Sequence, residues 1–343
     1  MPSGDPFPVL PTPGLNTVAT GGEGRGTHRR ARLVGVAAHG LLVRAATFSG
    51  RVAAAVTGAV YLEGRGGEIL WIAPPGSPAH ARAAIASLPP GIARTGMAAA
   101  SESGILRIGP AVLDLNAAVV WDPCTLRPRE AAPPARVHAQ ARRALQGLAS
   151  RAGADSFGRI TPLFIDGADG GLGFTQEIPP HVGMALPVLA ALRRACLALD
   201  AEAVARQGEE LIGLGPGLTP AGDDFLGGLL FAAHHLMLTY PARIRWDARP
   251  LLDLTQKACA RTNPISRAIL GDLILGRGPE PLHSFFARLL GGKAANPDGG
   301  AAARLARIGH TTGRDMMTGA LAGALLLTGA ALGRGAPCEH SGR

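Results

Sequence analysis

Short apolar runs broken by glycine and proline fill the chain from about residue 32 to 123: ARLVGVAAHG, LLVRAATFSG, RVAAAVTGAVYL, GEILWIAP, ILRIGPAVLDL and AAVVWDP. Runs of this length, several rich in Val and Ile, predict strands. HARAAIASL (residues 80–88) is alanine-rich and predicts one helix among them. RPREAAPPAR (127–136) marks a boundary, and beyond it the apolar period becomes helical. RVHAQARRALQGLASRA (136–152) predicts a helix, and LPVLAALRRACLALDAEAVARQ one or two more. A glycine-rich loop then precedes a helix running to about Thr239. DLTQKACART, ISRAILGDLILG and LHSFFARLLGG continue the helical period, GGKAANPDGGAA reads as a turn or mobile loop, and TGRDMMTGALAGALLLTGAAL closes the series. The expected fold class is α+β, with a β-rich N-terminal part followed by a mainly α-helical C-terminal part. The expected divisions are a disordered lead-in at 1–30, a β-rich domain at 31–126, a mainly helical domain at 136–333 and a polar tail at 334–343.

Composition sharpens this picture in three places. Hydrophobic residues make up 47% of the 343 residues but aromatics only 4%, so the core must be built from Ala, Leu, Val and Ile. The net charge of +9 comes from basic residues of which only Lys257 and Lys293 are lysines; the arginines are dispersed and form no stripe with interleaved aromatics. Nucleic-acid binding is therefore not expected, although a positive field favours small anions in a suitable cleft. The four cysteines form no C-x-x-C pair, which suits a reducing cytoplasm. MPSGDPFPVLPTPGLNT lacks the charge and continuous apolar core of a signal peptide. The apolar run at 316–333 is marginal for a bilayer span and reads better as a buried helix, so no membrane partner is expected.

Three segments carry candidate chemistry. In LIGLGPGLTPAGDDFLGGLLFAAHHL (211–236), Gly213, Gly215 and Gly217 can take positive φ, and Thr219 followed by Pro220 predicts a helix N-terminus with Thr219 as its cap. Asp223 and Asp224 fall in the first turns, where the helix dipole favours negative charge. A capped helix alone does not account for Gly227 and Gly228 in its interior, each costing up to about 1 kcal/mol against Ala. Close approach of a backbone or a ligand would. Free amides from Gly215 through Gly217 and Leu218 to Thr219 could hold an anion, and a magnesium ion bridging Asp223 and Asp224 to phosphate is a further option. In RTNPISRAIL, Thr262, Asn263 and Ser266 suit either a helix cap or a ligand contact. In IGHTTGRDMMTGALAG, His310, Thr311, Thr312, Gly313 and Asp315 repeat the pattern of hydroxyl, glycine and acid before a helix. Gly319 and Gly323 would let that helix pack closely on another. His234 and His235 read as structural. Neither a Gly-x-Ser-x-Gly elbow nor a His-Glu-x-x-His helix occurs.

In combination, GLGPGLTPAGDDFLGGLL, TNPISRAIL and IGHTTGRDMMTGALAG resemble the AllH-like family. The resemblance is close over about 211–323 and looser in the N-terminal half. It implies a cytoplasmic subunit of an oxamate carbamoyltransferase-type enzyme in anaerobic allantoin or purine breakdown, working with FdrA-like and AllG-like partner subunits. The reaction implied exchanges a carbamoyl group between phosphate and oxamate: oxalurate and phosphate give oxamate and carbamoyl phosphate. The small anionic substrates would then be carbamoyl phosphate, oxamate or oxalurate. The expected catalytic residues are Asp223, Asp224, His310 and Asp315. Gly215, Gly217, Leu218, Thr219, Thr262, Asn263, Ser266, Thr311, Thr312 and Gly313 would bind substrate. Two other classes stay open: a non-catalytic anion-binding or assembly subunit, and a magnesium-dependent phosphate-transferring enzyme. Thr311 and Thr312 stand where the family has serine, which keeps the hydroxyls; Ala221 replaces a serine and loses one.

Overall fold

The computed structural model describes residues 32–34, 36–40, 47–116, 118–122, 130–149, 156–165, 178–293 and 299–333. The chain divides into two compact units, Met1–Pro123 and Cys124–Arg343. The first is a β-sheet unit and the second is helical, so the α+β class and the order of its parts are as expected. Residues 1–30, read as a disordered lead-in, and 334–343, read as a tail, lie outside the described residues.

The first unit holds β1 (Arg32–Val34), β2 (Val36–Gly40), β3 (Phe48–Val56), β4 (Ala59–Gly64), β5 (Ile69–Ala73), β6 (Ala83–Ala86), β7 (Ala98–Glu102), β8 (Ile105–Ile108), β9 (Ala111–Asp114) and β10 (Val119–Trp121). They form one sheet in the order β1-β9-β8-β7-β3-β4-β5-β6-β2-β10. β3–β4, β7–β8 and β8–β9 are antiparallel neighbours in sequence. Ser103 and Gly104 join β7 to β8 with φ of 52° and 77°, the double positive-φ turn that follows strand twist. A single residue separates β1 from β2, yet they lie towards opposite ends of the strand order, so the sheet must roll to bring its ends near each other. Val52, Leu62, Leu106, Ile108 and Leu113 fill its core. The helix expected at 80–88 is instead β6, buried at every position and paired with β5 and β2. A four-residue apolar run ahead of Pro89 and Pro90 is too short for a helix, and burial on both sides overrides alanine's propensity.

The helical unit contains α1 (Pro134–Ala149), a 3₁₀ turn (Phe157–Ile160) leading into α2 (Thr161–Ile165), α3 (Pro180–Ala198), α4 (Ala201–Leu211), α5 (Ala221–Thr239), α6 (Arg249–Lys257), α7 (Pro264–Ile274), α8 (Glu280–Leu290), α9 (Gly300–Leu305) and α10 (Thr312–Gly333). Leu199, at φ 55°, ends α3, and Asp200 caps α4 by accepting from the Ala203 amide at 2.9 Å. The run read as one or two helices is therefore two. α10 packs most extensively on α5, then on α1 and α3. Both α5 and α10 are buried on nearly all sides, as central helices must be when apolar all round.

Their glycines set the packing. A Cβ on Gly228 would lie 2.1 Å from the Met316 carbonyl oxygen, one on Gly319 1.9 Å from that of Phe225, and one on Gly323 2.9 Å from that of Leu229. These contacts advance together along both helices, so α5 and α10 run parallel with their N-termini at the same end. By length and composition α3 and α10 could cross a membrane, but 83% of the most apolar stretch of α10 is buried inside the unit. That is the buried helix expected there.

Candidate functional site

The glycine loop fills the gap between α4 and α5. Gly213, Gly215 and Gly217 have φ of 81°, 120° and 95°, a region that only glycine enters freely. A Cβ on Gly213 would also strike the Arg261 carbonyl oxygen at 2.1 Å. Pro220, not Thr219, is the N-cap of α5, and no side chain caps the helix. The Thr219 hydroxyl instead meets the Thr312 hydroxyl at 2.7 Å, tying the loop to the start of α10. This corrects the expected cap: with Pro220 extended and outside the helix, Thr219 stands too far back to reach the first-turn amides.

The loop is pinned from a second side by Asp223, which is 2% exposed. Its Oδ1 accepts from the Gly213 amide, and its Oδ2 from the hydroxyls of Thr262 and Ser266, all at 2.6 Å. Asn263 caps α7 by accepting from the amides of Ile265 and Ser266, and its Nδ2 donates to the Leu218 carbonyl at 2.8 Å. Thr262, Asn263 and Ser266, expected to touch substrate, thus hold the loop in shape. Burial raises the Asp223 carboxyl above its ordinary range, against the three donors, which act the other way.

Asp224 points elsewhere. It is 2% exposed, and burial together with the Asp315 and Asp223 carboxylates drives its carboxyl well above the usual range, while the hydroxyls of Thr312 and Thr219 act against that shift. Asp315, in the first turn of α10, is fully buried. Its Oδ1 accepts from the Ser156 hydroxyl and the Phe157 amide, both at 2.8 Å. Burial pushes its carboxyl up to about 6, against the hydrogen bonds of Ser156, Thr311 and Phe157 and the charge of His181. The Oδ2 atoms of Asp224 and Asp315 are both buried without a hydrogen-bond partner.

The structure therefore gathers Thr219, Asp224, Thr311, Thr312 and Asp315 into one cluster where the positive ends of two parallel helices meet. Gly215, Gly217 and Leu218 form its rim, and among the described residues their amides and that of Thr219 donate to no protein acceptor. Gly313 serves packing, since a Cβ there would lie 1.7 Å from the Leu305 carbonyl oxygen. His310 is exposed in the turn before α10. His234 and His235 lie late on α5; His235 packs on Phe231 and bonds the Gly276 carbonyl at 3.0 Å, as a structural histidine would.

Two contributors escaped the sequence reading. Ser156 comes from ADSFGRI, which carries no motif. His181 opens α3, stacks on Phe157 with ring centroids 6.3 Å apart, and faces the position a Cβ would take on Gly215, 3.6 Å away. Only its place beside a Pro-Pro helix start could have drawn notice. The expected magnesium bridge finds no support in these residues: both Asp223 oxygens are taken by three donors, and Asp224 turns towards α10. Among the described residues no group of three or more His, Cys, Asp or Glu side chains could hold a metal ion.

Fold and site together define an α+β protein whose helical unit carries a pinned glycine loop above two buried carboxyl groups. Residues 211–324 match the family model described as oxamate carbamoyltransferase subunit AllH, the family that the three motifs resemble. That match supports a carbamoyltransferase subunit role within a multi-subunit enzyme. No curated protein and no solved structure matches the chain.

Proposed function

We propose that the glycine loop is the anion site of an oxamate carbamoyltransferase-type subunit, receiving the phosphate or carboxylate of carbamoyl phosphate, oxamate or oxalurate. The observation that carries this reading is that the matched segment, 211–324, is the one that builds the loop, both helix N-termini and the buried carboxyls. The amides of Gly215, Gly217, Leu218 and Thr219 offer donors to an anion, and the positive ends of α5 and α10 add to the attraction. Burial raises the carboxyls of Asp224 and Asp315 above their ordinary range and so weakens their repulsion of a bound anion.

In the direction of oxalurate breakdown, a phosphate oxygen bonds to the carbamoyl carbon while the bond from that carbon to the oxamate nitrogen breaks. The phosphate hydroxyl's proton leaves the nucleophile, and a proton reaches the departing nitrogen, so oxamate and carbamoyl phosphate form without any net gain or loss. Charge builds on the carbamoyl oxygen on the way, and fixed amide donors are suited to receive it. Asp315, with its carboxyl raised to about 6, would exchange the proton. FdrA-like and AllG-like subunits would complete the enzyme in the cytoplasm.

Calorimetric titration of the full chain with inorganic phosphate and with oxamate tests the anion site. Gly217→Ala is the informative variant, because a Cβ there meets nothing within 4 Å and only the backbone at φ 95° is disturbed. Forcing a side chain into that region costs about 1–2 kcal/mol, so affinity is expected to fall roughly tenfold. Unchanged affinity, or no binding by the unaltered chain, overturns the assignment.

A further inference from the structure

α3 and α10 are similarly apolar, yet the most apolar stretch of α10 is 83% buried and that of α3 only 33%. α3 packs on α4 and α10, and its inward side chains, Val182, Leu189, Leu192 and Cys196 among them, are buried. Its outward side is apolar as well. Pro180, Met184, Pro187, Ala191, Arg194 and Ala198 follow at three- and four-residue steps and so form one stripe. Met184 is 66% exposed, Pro187 and Ala198 are exposed, and Ala191 is half-buried. Arg194 is the charge on this stripe, and α3 contains neither Asp nor Glu. A helix at a protein surface turns polar residues outward, and one that is apolar all round is normally covered. Pro187 adds to the contrast: it removes the amide that would answer the Gly183 carbonyl, while its exposed ring contributes nothing to the core.

We propose that the outward stripe of α3 is the docking surface for a protein chain of different sequence, one that presents an apolar surface with a carboxylate set to meet Arg194. Charge decides the occupant. A symmetric pair of this chain would lay the stripe against itself, with no acid on either copy of α3 to answer Arg194. Beside it, Arg193 already keeps an Nε buried without a hydrogen-bond partner. A lipid surface fits less well. Helices that lie in a membrane interface set Trp, Phe or Leu on one face and several Lys or Arg on the other, whereas this stripe has no aromatic residue and the opposite side of α3 is buried. An apolar partner surface carrying a carboxylate satisfies both features of the stripe. The inference rests on the reading of this chain as one subunit of a larger enzyme, and not on the anion site. The two are nonetheless close: His181, whose Cδ2 lies 3.6 Å from the position a Cβ would take on Gly215, is three residues before Met184. A chain seated on Met184 would lie within a helical turn of the residue that faces the glycine loop.

Sedimentation velocity of the full chain, alone and mixed with the FdrA-like and the AllG-like subunit in turn, tests this. The unaltered chain is expected to form a complex with at least one of them. Met184→Asp removes an apolar contact and sets a negative charge against the partner's carboxylate, and Arg194→Glu reverses the complementary charge. Each is expected to weaken the complex by at least about tenfold, the size of a central interface residue. Arg194→Lys, which keeps the charge, should stay within about threefold of the unaltered chain. Leu252→Asp, on α6 and 44% exposed, is the control and should change nothing. Melting temperatures of Met184→Asp and the unaltered chain should agree, because an exposed side chain contributes little to the fold. Undiminished binding by Met184→Asp, or equal weakening by Leu252→Asp, overturns the inference. Self-association of the unaltered chain that Met184→Asp abolishes gives the face to a second copy instead. Pelleting with phosphatidylglycerol vesicles that the same variant abolishes gives it to lipid. Failure of the unaltered chain to join either subunit overturns the inference together with the subunit reading, and is thereby told apart from loss confined to the variants.

Discussion

Asp315 couples folding to pH. Its carboxyl is fully buried and pushed up to about 6, so the native state holds that proton more tightly than the unfolded chain does. The stability this contributes is complete below the ordinary carboxylate range and is lost as pH rises through about 6. The shift from 3.8 to about 6 corresponds to about 3 kcal/mol at most. Asp315→Asn keeps an Oδ1 acceptor for Ser156 and Phe157 but does not titrate. Thermal melts of both proteins from roughly pH 4.5 to 8 are expected to diverge in the variant's favour as pH rises; parallel curves would show that the carboxyl is not perturbed. At this scale the sequence revealed which residues matter better than what they do. The pair Asp223-Asp224 is conspicuous in the chain, yet one helical step turns the two side chains to different neighbours, α7 and α10. Asp223 became a strap for the loop, and Asp224 found its partner in Asp315, 91 positions further along. Nothing local in the chain encodes Ser156 or His181, which only tertiary packing brings to the cluster.

The central helix pair shows why glycine sits where propensity disfavours it. Gly228→Ala and Gly319→Ala would drive a methyl into an opposing backbone carbonyl at 2.1 and 1.9 Å, and backbone cannot swing aside as a side chain can. Each is expected to destabilise by about 1–3 kcal/mol. Gly333→Ala, at the end of the same helix with nothing within 4 Å, should be neutral or stabilising by up to about 1 kcal/mol. Denaturant midpoints would check this, and equal effects at all three positions would refute the packing account. Helix periodicity located α1, α3, α4, α5, α7, α8 and α10, because long amphipathic or apolar segments declare their period. It failed at β6, where four buried small residues fit either period and only strand neighbours decide. The parallel course of α5 and α10 also lay beyond the sequence, although the interior glycines pointed to a close approach.

On the scale of the whole chain, the dispersed arginines and +9 charge fit attraction of small anions better than nucleic-acid recognition. The two-part α+β organisation was readable because the apolar period changes once along the sequence. The reaction was not, since buried carboxyls and free amides serve many chemistries; only the resemblance, and the family match over 211–324, direct them towards carbamoyl transfer. The most direct measurement is phosphorus NMR of oxalurate and phosphate incubated with this chain together with FdrA-like and AllG-like subunits. The account predicts that carbamoyl phosphate appears with oxamate in equal amount, and that Gly217→Ala slows its formation roughly tenfold, the rate equivalent of the loop strain. Full-rate carbamoyl phosphate formation by the partner subunits with this chain left out would contradict it.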